Sequence, residues 1–232
     1  PHVSIVGGGD IFLLSSESKE ERLMAVKYTI RSMQIAAELG AQAVVVHLGR
    51  VPMEKVRKEL FRLYDNGKVG SPEHKEAMRE FNKKRDENKG KTFDMLLMSV
   101  EALIKAAESF GIKIGIENRY YFSEYPNFDE FGILFRKFGN DKLGYWHDTG
   151  HAKVQENLGI ILPNQLIAEY GRFLIGFHLH DVRGYSDHRV PGSGEVDFNF
   201  LKRYLKSETL KIIEVHPRES ETELVEGIHF LR

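Results

Sequence analysis

The chain has no cysteine among its 232 residues, which excludes disulfides, thiolate zinc sites and iron–sulfur ligation and suits a reducing cytoplasm, the expected location. Any nitrogen ligation of a metal must therefore come from its ten histidines. Neither sign of charge is in excess, since 33 Lys and Arg stand against 34 Asp and Glu for a formal net charge of −1. No global basic field draws such a chain to nucleic acid or to an anionic membrane. No apolar run approaches the ~18 residues of a membrane span. Gly7-Gly8-Gly9 has neither the P-loop nor the dinucleotide spacing. Pro1, not methionine, stands first, so the sequence is expected to begin inside a longer reading frame, which leaves room for a removed targeting segment.

What is present is a repeat of short apolar runs alternating with helical periodicity. Val3 to Val6 reads as a strand. A helix from Lys19 to Leu39 carries Leu23, Val26, Ile30, Met33 and Ala37 at three- and four-residue steps and stops at Gly40, and strand Ala43 to His47 follows. The pattern returns as strand Ile112 to Glu117, helix Phe128 to Phe138 with strand Leu143 to Asp148, helix near Leu166 with strand Phe173 to His180, and helix near Leu201 with strand Leu210 to Glu214. A last helix spans Glu221 to Leu231. Strands buried on both faces and alternating with helices predict an α/β fold with a parallel sheet, closed into a TIM-type (β/α) barrel or doubly wound, as a single domain over residues 1–232. About six of the eight βα units of a barrel are counted, so either N-terminal units are absent or the fold is a smaller open sheet, and strand edges left open by an unfinished barrel would favour a homo-oligomer. The charged stretch between His47 and Glu117 is about twice one repeat. It reads as a helical hairpin inserted over residues 52–92 with Pro72 at a first helical position, either a solvated arm or a lid.

Residues with chemistry close these strands. Glu117, Asp148, His180 and Glu214 follow one another at intervals of 31, 32 and 34 residues, one βα unit per step. A parallel barrel gathers its C-terminal strand ends on one face, so the four are predicted to meet there. Three carboxylates and an imidazole make an oxygen-rich set for one divalent ion, Mn²⁺, Mg²⁺ or Co²⁺, with Zn²⁺ the alternative. His178 shares the side-chain parity of His180 and is assigned a deeper core position, because His180 stands nearer the strand end. His47 ends a strand and His151 stands three residues past Asp148; both are candidates for substrate contact. Trp146 is read as core. The turn Val190-Pro191-Gly192-Ser193-Gly194 has the glycines of an anion-holding loop.

Ile116-Glu117-Asn118-Arg119, His147-Asp148-Thr149-Gly150-His151-Ala152, His178-Leu179-His180-Asp181 with the later Pro191-Gly192-Ser193-Gly194-Glu195-Val196-Asp197-Phe198, and Glu214-Val215-His216-Pro217 resemble the xylose isomerase-like TIM-barrel superfamily over nearly the whole chain. That group includes sugar isomerases and epimerases and the apurinic endonucleases of the endonuclease IV type. The resemblance implies that Glu117, Asp148, His180 and Glu214 hold the metal and that Glu117 and Glu214 are the catalytic carboxylates. It also implies that His151 and Arg183 or Arg189 bind substrate, and Arg119 and His188 complete the substrate-binding candidates. The endonuclease branch adds further zinc ligands, of which His47, His151 and His188 match three. Two fail, because Val6 and Ser186 stand where that branch has histidine and aspartate. The expectation is a divalent-metal-dependent isomerase or epimerase of a small sugar or sugar phosphate, working by proton transfer through an enediolate. A zinc-dependent abasic-site endonuclease is the rival enzyme, and a non-catalytic barrel-fold binding protein is the rival of another class.

Overall fold

The computed structural model describes residues 11–53, 56–139, 141–217 and 219–231; the strand expected over Val3 to Val6 lies outside them. In chain order the elements are α1 (Lys19–Glu38), β1 (Ala43–Val46), α2 (Arg57–Asp65), α3 (Pro72–Phe110), β2 (Lys113–Glu117), α4 (Phe128–Phe138), β3 (Leu143–Asp148), α5 (Thr149–Asn157), α6 (Gln165–Tyr170), β4 (Leu174–Leu179), β5 (Asp181–Arg183), β6 (Ser186–Arg189), α7 (Phe198–Leu201), β7 (Leu210–Ile213) and α8 (Glu221–Phe230). They fall into two compact units, one of residues 1–55, 79–117 and 123–144, the other of residues 56–78, 118–122 and 145–232. No helix among the described residues is long and apolar enough to cross a membrane.

In the first unit β1 pairs in parallel with β2, with Val46 level with Ile116. α1 opens at Ser18, whose side chain accepts the Glu21 N–H. Its buried line is Ala25, Thr29 and Met33, whereas Leu23, expected inside, is 58% exposed. Ala25 and Thr29, one turn apart, stand inside where the stripe would put Val26 and Ile30, so the inward face is turned from the predicted one. α4 starts with a capping box in which Asn127 accepts the Glu130 N–H and Glu130 accepts the Asn127 N–H.

α3 begins at Pro72, as the proline position predicts, but its 39 residues run well past the expected end of the hairpin. Phe93, Leu96, Val100, Leu103 and Ala107 form a buried line at three- and four-residue steps, and Arg85 and Thr92 extend it backwards. Arg85 is therefore a core residue, 1% exposed. Its Nη2 donates to Glu130 Oε2 at 2.9 Å and to the Glu124 carbonyl at 3.1 Å, and its guanidinium lies 5.3 Å from the Tyr125 ring centre. Glu130 is itself fully buried. The planar guanidinium fork satisfies that carboxylate at both oxygens through two nitrogens, a geometry that a single ammonium nitrogen does not offer.

In the second unit β3, β4 and β7 are parallel neighbours, with Asp148 level with His178 and His178 level with Ile212. Gly176 on β4 makes room for Trp146, since a Cβ there would come 2.2 Å from the indole. After β4 the chain enters an antiparallel ribbon of β5 and β6, turned at Gly184 with φ +63°, which the helical periodicity did not reveal. α2 packs by aromatic contact, Phe61 stacking on Tyr185 with ring centres 3.8 Å apart.

Two stability outcomes follow from α3. Arg85→Ala leaves the Glu130 charge buried without its partner and should lower unfolding free energy by roughly 3–5 kcal/mol; an unchanged urea midpoint would contradict the burial. Gly90 lies inside the helix with open space where a Cβ would stand, so Gly90→Ala should raise stability by roughly 0.5–1 kcal/mol, read as a higher Tm.

Candidate metal centre

Asp148 closes β3 and caps α5: its Oδ1 accepts the His151 N–H at 2.7 Å, so helix follows strand without a loop. Its backbone is held by the Asn118 amide, which donates from Nδ2 to the Asp148 carbonyl and accepts the Asp148 N–H at Oδ1, both at 2.9 Å. Thr149 treats His180 in the same way, donating from Oγ1 to its carbonyl at 2.6 Å and accepting its N–H at 3.0 Å. Side chains thus continue the ladder of hydrogen bonds past the ends of the strands.

The Asp148 carboxylate is fully buried. His180 Nε2 lies 2.8 Å from Oδ1, while Oδ2 faces His151 Nδ1 at 3.4 Å and His178 Nδ1 at 3.6 Å. Among the described residues Oδ2 has no hydrogen-bond partner. A carboxylate oxygen buried in that way is costly unless a cation serves it. Burial works to raise the pKa of this group, but the facing imidazoles of His151, His180 and His178 hold it well below the usual carboxylate range.

Glu214 stands just past β7, its N–H donating to the Leu179 carbonyl at 3.2 Å. Its Oε2 is 3.0 Å from His178 Nδ1 and its Oε1 is 3.6 Å from His188 Nε2; hydrogen bonds from His178 and His188 hold its carboxyl far below the ordinary value. Burial works against charge on His188, yet Asp187 and Glu214 outweigh it and push the imidazole up to about 10. Asp148, His178 and Glu214 each offer one donor atom within 4.8 Å of the others. Two carboxylates and an imidazole, with one buried oxygen unserved, fit a divalent cation.

The imidazole brought beside both Asp148 and Glu214 is thus His178, not the predicted His180. Side-chain alternation holds only while the strand lasts, and β4 ends at Leu179. His180 lies beyond the last pair, fully buried, with Nδ1 accepting the His188 N–H at 2.9 Å. Gly150 leaves it room, since a Cβ there would stand 2.1 Å from the ring. The register that sets Asp148 level with His178 was the signal that could have chosen between them.

Of the other predicted residues, His151 and His188 join this cluster, His151 Nε2 lying 3.7 Å from Asp187 Oδ2. In the first unit Glu117, 2% exposed, closes β2 and meets His47 Nε2 at 3.2 Å. The Arg119 carbonyl accepts from the Gln155 side chain. Arg183 Nε donates to the Ser193 carbonyl at 2.8 Å, while Arg189 Nε is buried without a hydrogen-bond partner among the described residues. Trp146 is buried, as read from the sequence. The glycine turn does hold an anion, but it is the protein's own: buried Asp181 accepts the N–H groups of Val182 and Val196 at Oδ1 and of Gly192 and Gly194 at Oδ2, all at 2.8–3.0 Å. Those amides are spoken for. Sequence reasoning met Asp181 and His216 as members of motifs but gave no role to them or to Asp187, since none of the three falls on the strand-end spacing.

The sequence profile described as "Xylose isomerase-like TIM barrel" matches residues 2–232. Two proteins of Methanocaldococcus jannaschii are similar in sequence: uncharacterized protein MJ1311 is 25% identical over 201 residues, 83% of this chain and 56% of its own length, and uncharacterized protein MJ1614 is 28% identical over 130 residues, 54% and 47%. The chain spans about half the length of these relatives. Among solved structures, a D-tagatose 3-epimerase-like protein has a TM-score of 0.63 at 22% identity, covering 97% of this chain and 73% of that one. The 3-keto-D-glucoside 4-epimerase YcjR of E. coli has a TM-score of 0.64 at 17% identity, covering 97% and 76%. These likenesses speak for a common fold. With a profile match over nearly all its residues, and with strand-end acids and imidazoles where that architecture carries its chemistry, the chain belongs to the xylose isomerase-like TIM barrel family.

Proposed function

We propose that this protein is a divalent-metal-dependent isomerase or epimerase of a small sugar, with Asp148, His178 and Glu214 as ligands and with Glu117 added on the strength of its Ile-Glu-Asn-Arg motif. The observation that carries the reading is Asp148 Oδ2, buried, without a hydrogen bond among the described residues, and facing His178. The epimerases among the structural neighbours support the choice of substrate class. When bound, the ion would supply positive charge against the oxyanion that develops as a carbon beside a carbonyl loses its proton. Glu214 is ionised at neutral pH, as a base must be, and its partly exposed carboxylate is the group proposed to take the carbon-bound proton. Glu117, by its motif, is assigned the matching transfer. Such transfers contribute about 10²- to 10⁴-fold. The Asn118 carbonyl lies 3.1 Å from His151 Nδ1, and that contact places the proton on Nδ1 and leaves Nε2 to accept from a substrate hydroxyl. His47, Arg119 and Arg189 are proposed as further substrate contacts, and Arg183 as a residue acting through the glycine turn.

A panel of ketoses and aldoses incubated with Mn²⁺ in deuterated water should show carbon-bound deuterium in at least one sugar. Asparagine caps a helix about as well as aspartate, so Asp148→Asn should keep the fold by circular dichroism while exchange falls at least 100-fold; exchange at the wild-type rate would refute the assignment.

The metal-free chain should also carry a two-sided pH signature. Asp148 and Glu214 have lowered pKa values, so their stabilisation is present above about pH 4 and is lost as pH falls further. His188, raised to about 10, contributes fully below about pH 6.5 and loses its contribution as pH climbs towards 10. Tm should therefore peak between these limits, and His188→Gln should shrink the alkaline fall. An alkaline limb identical in the variant would mean that the contacts to Asp187 and Glu214 do not form.

A further inference from the structure

We propose that a cavity between β3 and the helices that follow it, separate from the Asp148 cluster, binds a small neutral polyol. The cavity has a volume of about 200 Å³ and is walled by His147 of β3, by Ala152, Lys153 and Glu156 of α5, and by Asp197 and Leu201 at the two ends of α7. Asp148, His178 and Glu214 do not line it. Side chains alternate along a strand, so His147 turns to the helices where Asp148 turns to the candidate metal centre. Liquid water takes about 30 Å³ per molecule, so the space suits a molecule of roughly three to five carbons.

The hydrogen bonds already made fix what the wall asks of a ligand. Asn118 Oδ1 accepts the Asp148 N–H at 2.9 Å and the Tyr145 hydroxyl at 3.0 Å. With its proton given to Asn118, the Tyr145 oxygen accepts from His147 Nδ1 at 2.6 Å, which leaves His147 Nε2 as a lone-pair acceptor. The imidazole is 3% exposed, and Nε2 has no hydrogen-bond partner among the described residues. Across the cavity Glu156 accepts the Asn164 N–H at Oε1, 2.7 Å away, and has Lys153 Nζ 3.5 Å from Oε2. An ammonium carries three N–H donors, so Lys153 has donors to spare beyond that pair. Asp197 accepts the Phe200 N–H at Oδ1 and keeps Oδ2 for a ligand.

This mixture excludes the simpler ligands. An anion would meet Glu156 and Asp197, and burial, with the Asp197 charge adding to it, already raises the Glu156 carboxyl above its ordinary value. A cation would meet Lys153 and leave its spare donors unserved. A hydroxyl donates and accepts at once. One hydroxyl can therefore donate to His147 Nε2 and others can join Lys153 to Asp197, while the carbon skeleton lies against Ala152 and Leu201, both buried. The inference does not depend on whether a metal ion binds at Asp148.

The test compares erythritol, 1,4-diaminobutane and succinate, neutral, cationic and anionic probes of equal carbon number, by nitrogen–proton NMR titration of the chain without added metal. Erythritol should give saturable shifts of the amides around Lys153 and Asp197 with a Kd of about 1–10 mM, and both charged probes should bind at least about tenfold more weakly. Lys153→Met keeps the apolar stem and Asp197→Ser keeps the helix cap; each should weaken erythritol about tenfold while leaving the circular dichroism spectrum unchanged. The proposal is overturned by an absence of saturable shifts up to about 100 mM erythritol, by shifts centred on Asp148 and Glu214 instead, by a charged probe that binds as well as erythritol, or by wild-type affinity in both variants.

Discussion

Much of the second unit is arranged around one carboxylate that is both a structural and an electrostatic part. Asp148 must stay at the end of β3, must cap α5, and must remain charged where water does not reach. Those demands conflict, because burial opposes the charge that the neighbouring imidazoles need. The conflict is met by placement: Asn118 holds the backbone, the His151 N–H takes one oxygen, and His178 and His180 surround the group. Such an acid holds its place in the fold even before any ligand is considered, yet its second oxygen is left with an incomplete set of partners.

The same economy governs the histidines. His147 is a core residue, pushed down to about 4 by burial and paired with the Tyr145 hydroxyl at 2.6 Å, so it stays neutral. His180 orders the carboxylate and its neighbour, and His178 faces the acids. Residue type alone does not separate these roles; they follow from which ring nitrogen is already engaged and by what.

The repeat was readable because β2 and β3, buried on both faces, are nearly continuous apolar runs and the helices that precede strands end near glycine. α4 and β3 fall at Phe128–Phe138 and Leu143–Asp148, as the periodicity predicts. What escaped were features set by contacts distant in sequence. The inward face of α1, with Ala25, Thr29 and Met33 inside, is set by what the helix packs against. Arg85 looks like solvated charge until Glu130, forty-five residues on, comes beside it. His178 and His180 share a parity that ends with the strand, so only register could separate them. The strand-end spacing did identify Asp148 and Glu214 as members of one cluster, because that spacing is a property of the repeat itself.

The turn wrapped on Asp181 takes its form from main-chain N–H groups converging on an internal acid. Its contour is thereby set by Asp181, the glycines and one side-chain tie, the Ser193 Oγ donating to the Val190 carbonyl at 2.7 Å. Evolution can re-letter the other positions of that rim without redrawing the scaffold, which is one physical route by which a single architecture comes to recognise many different molecules.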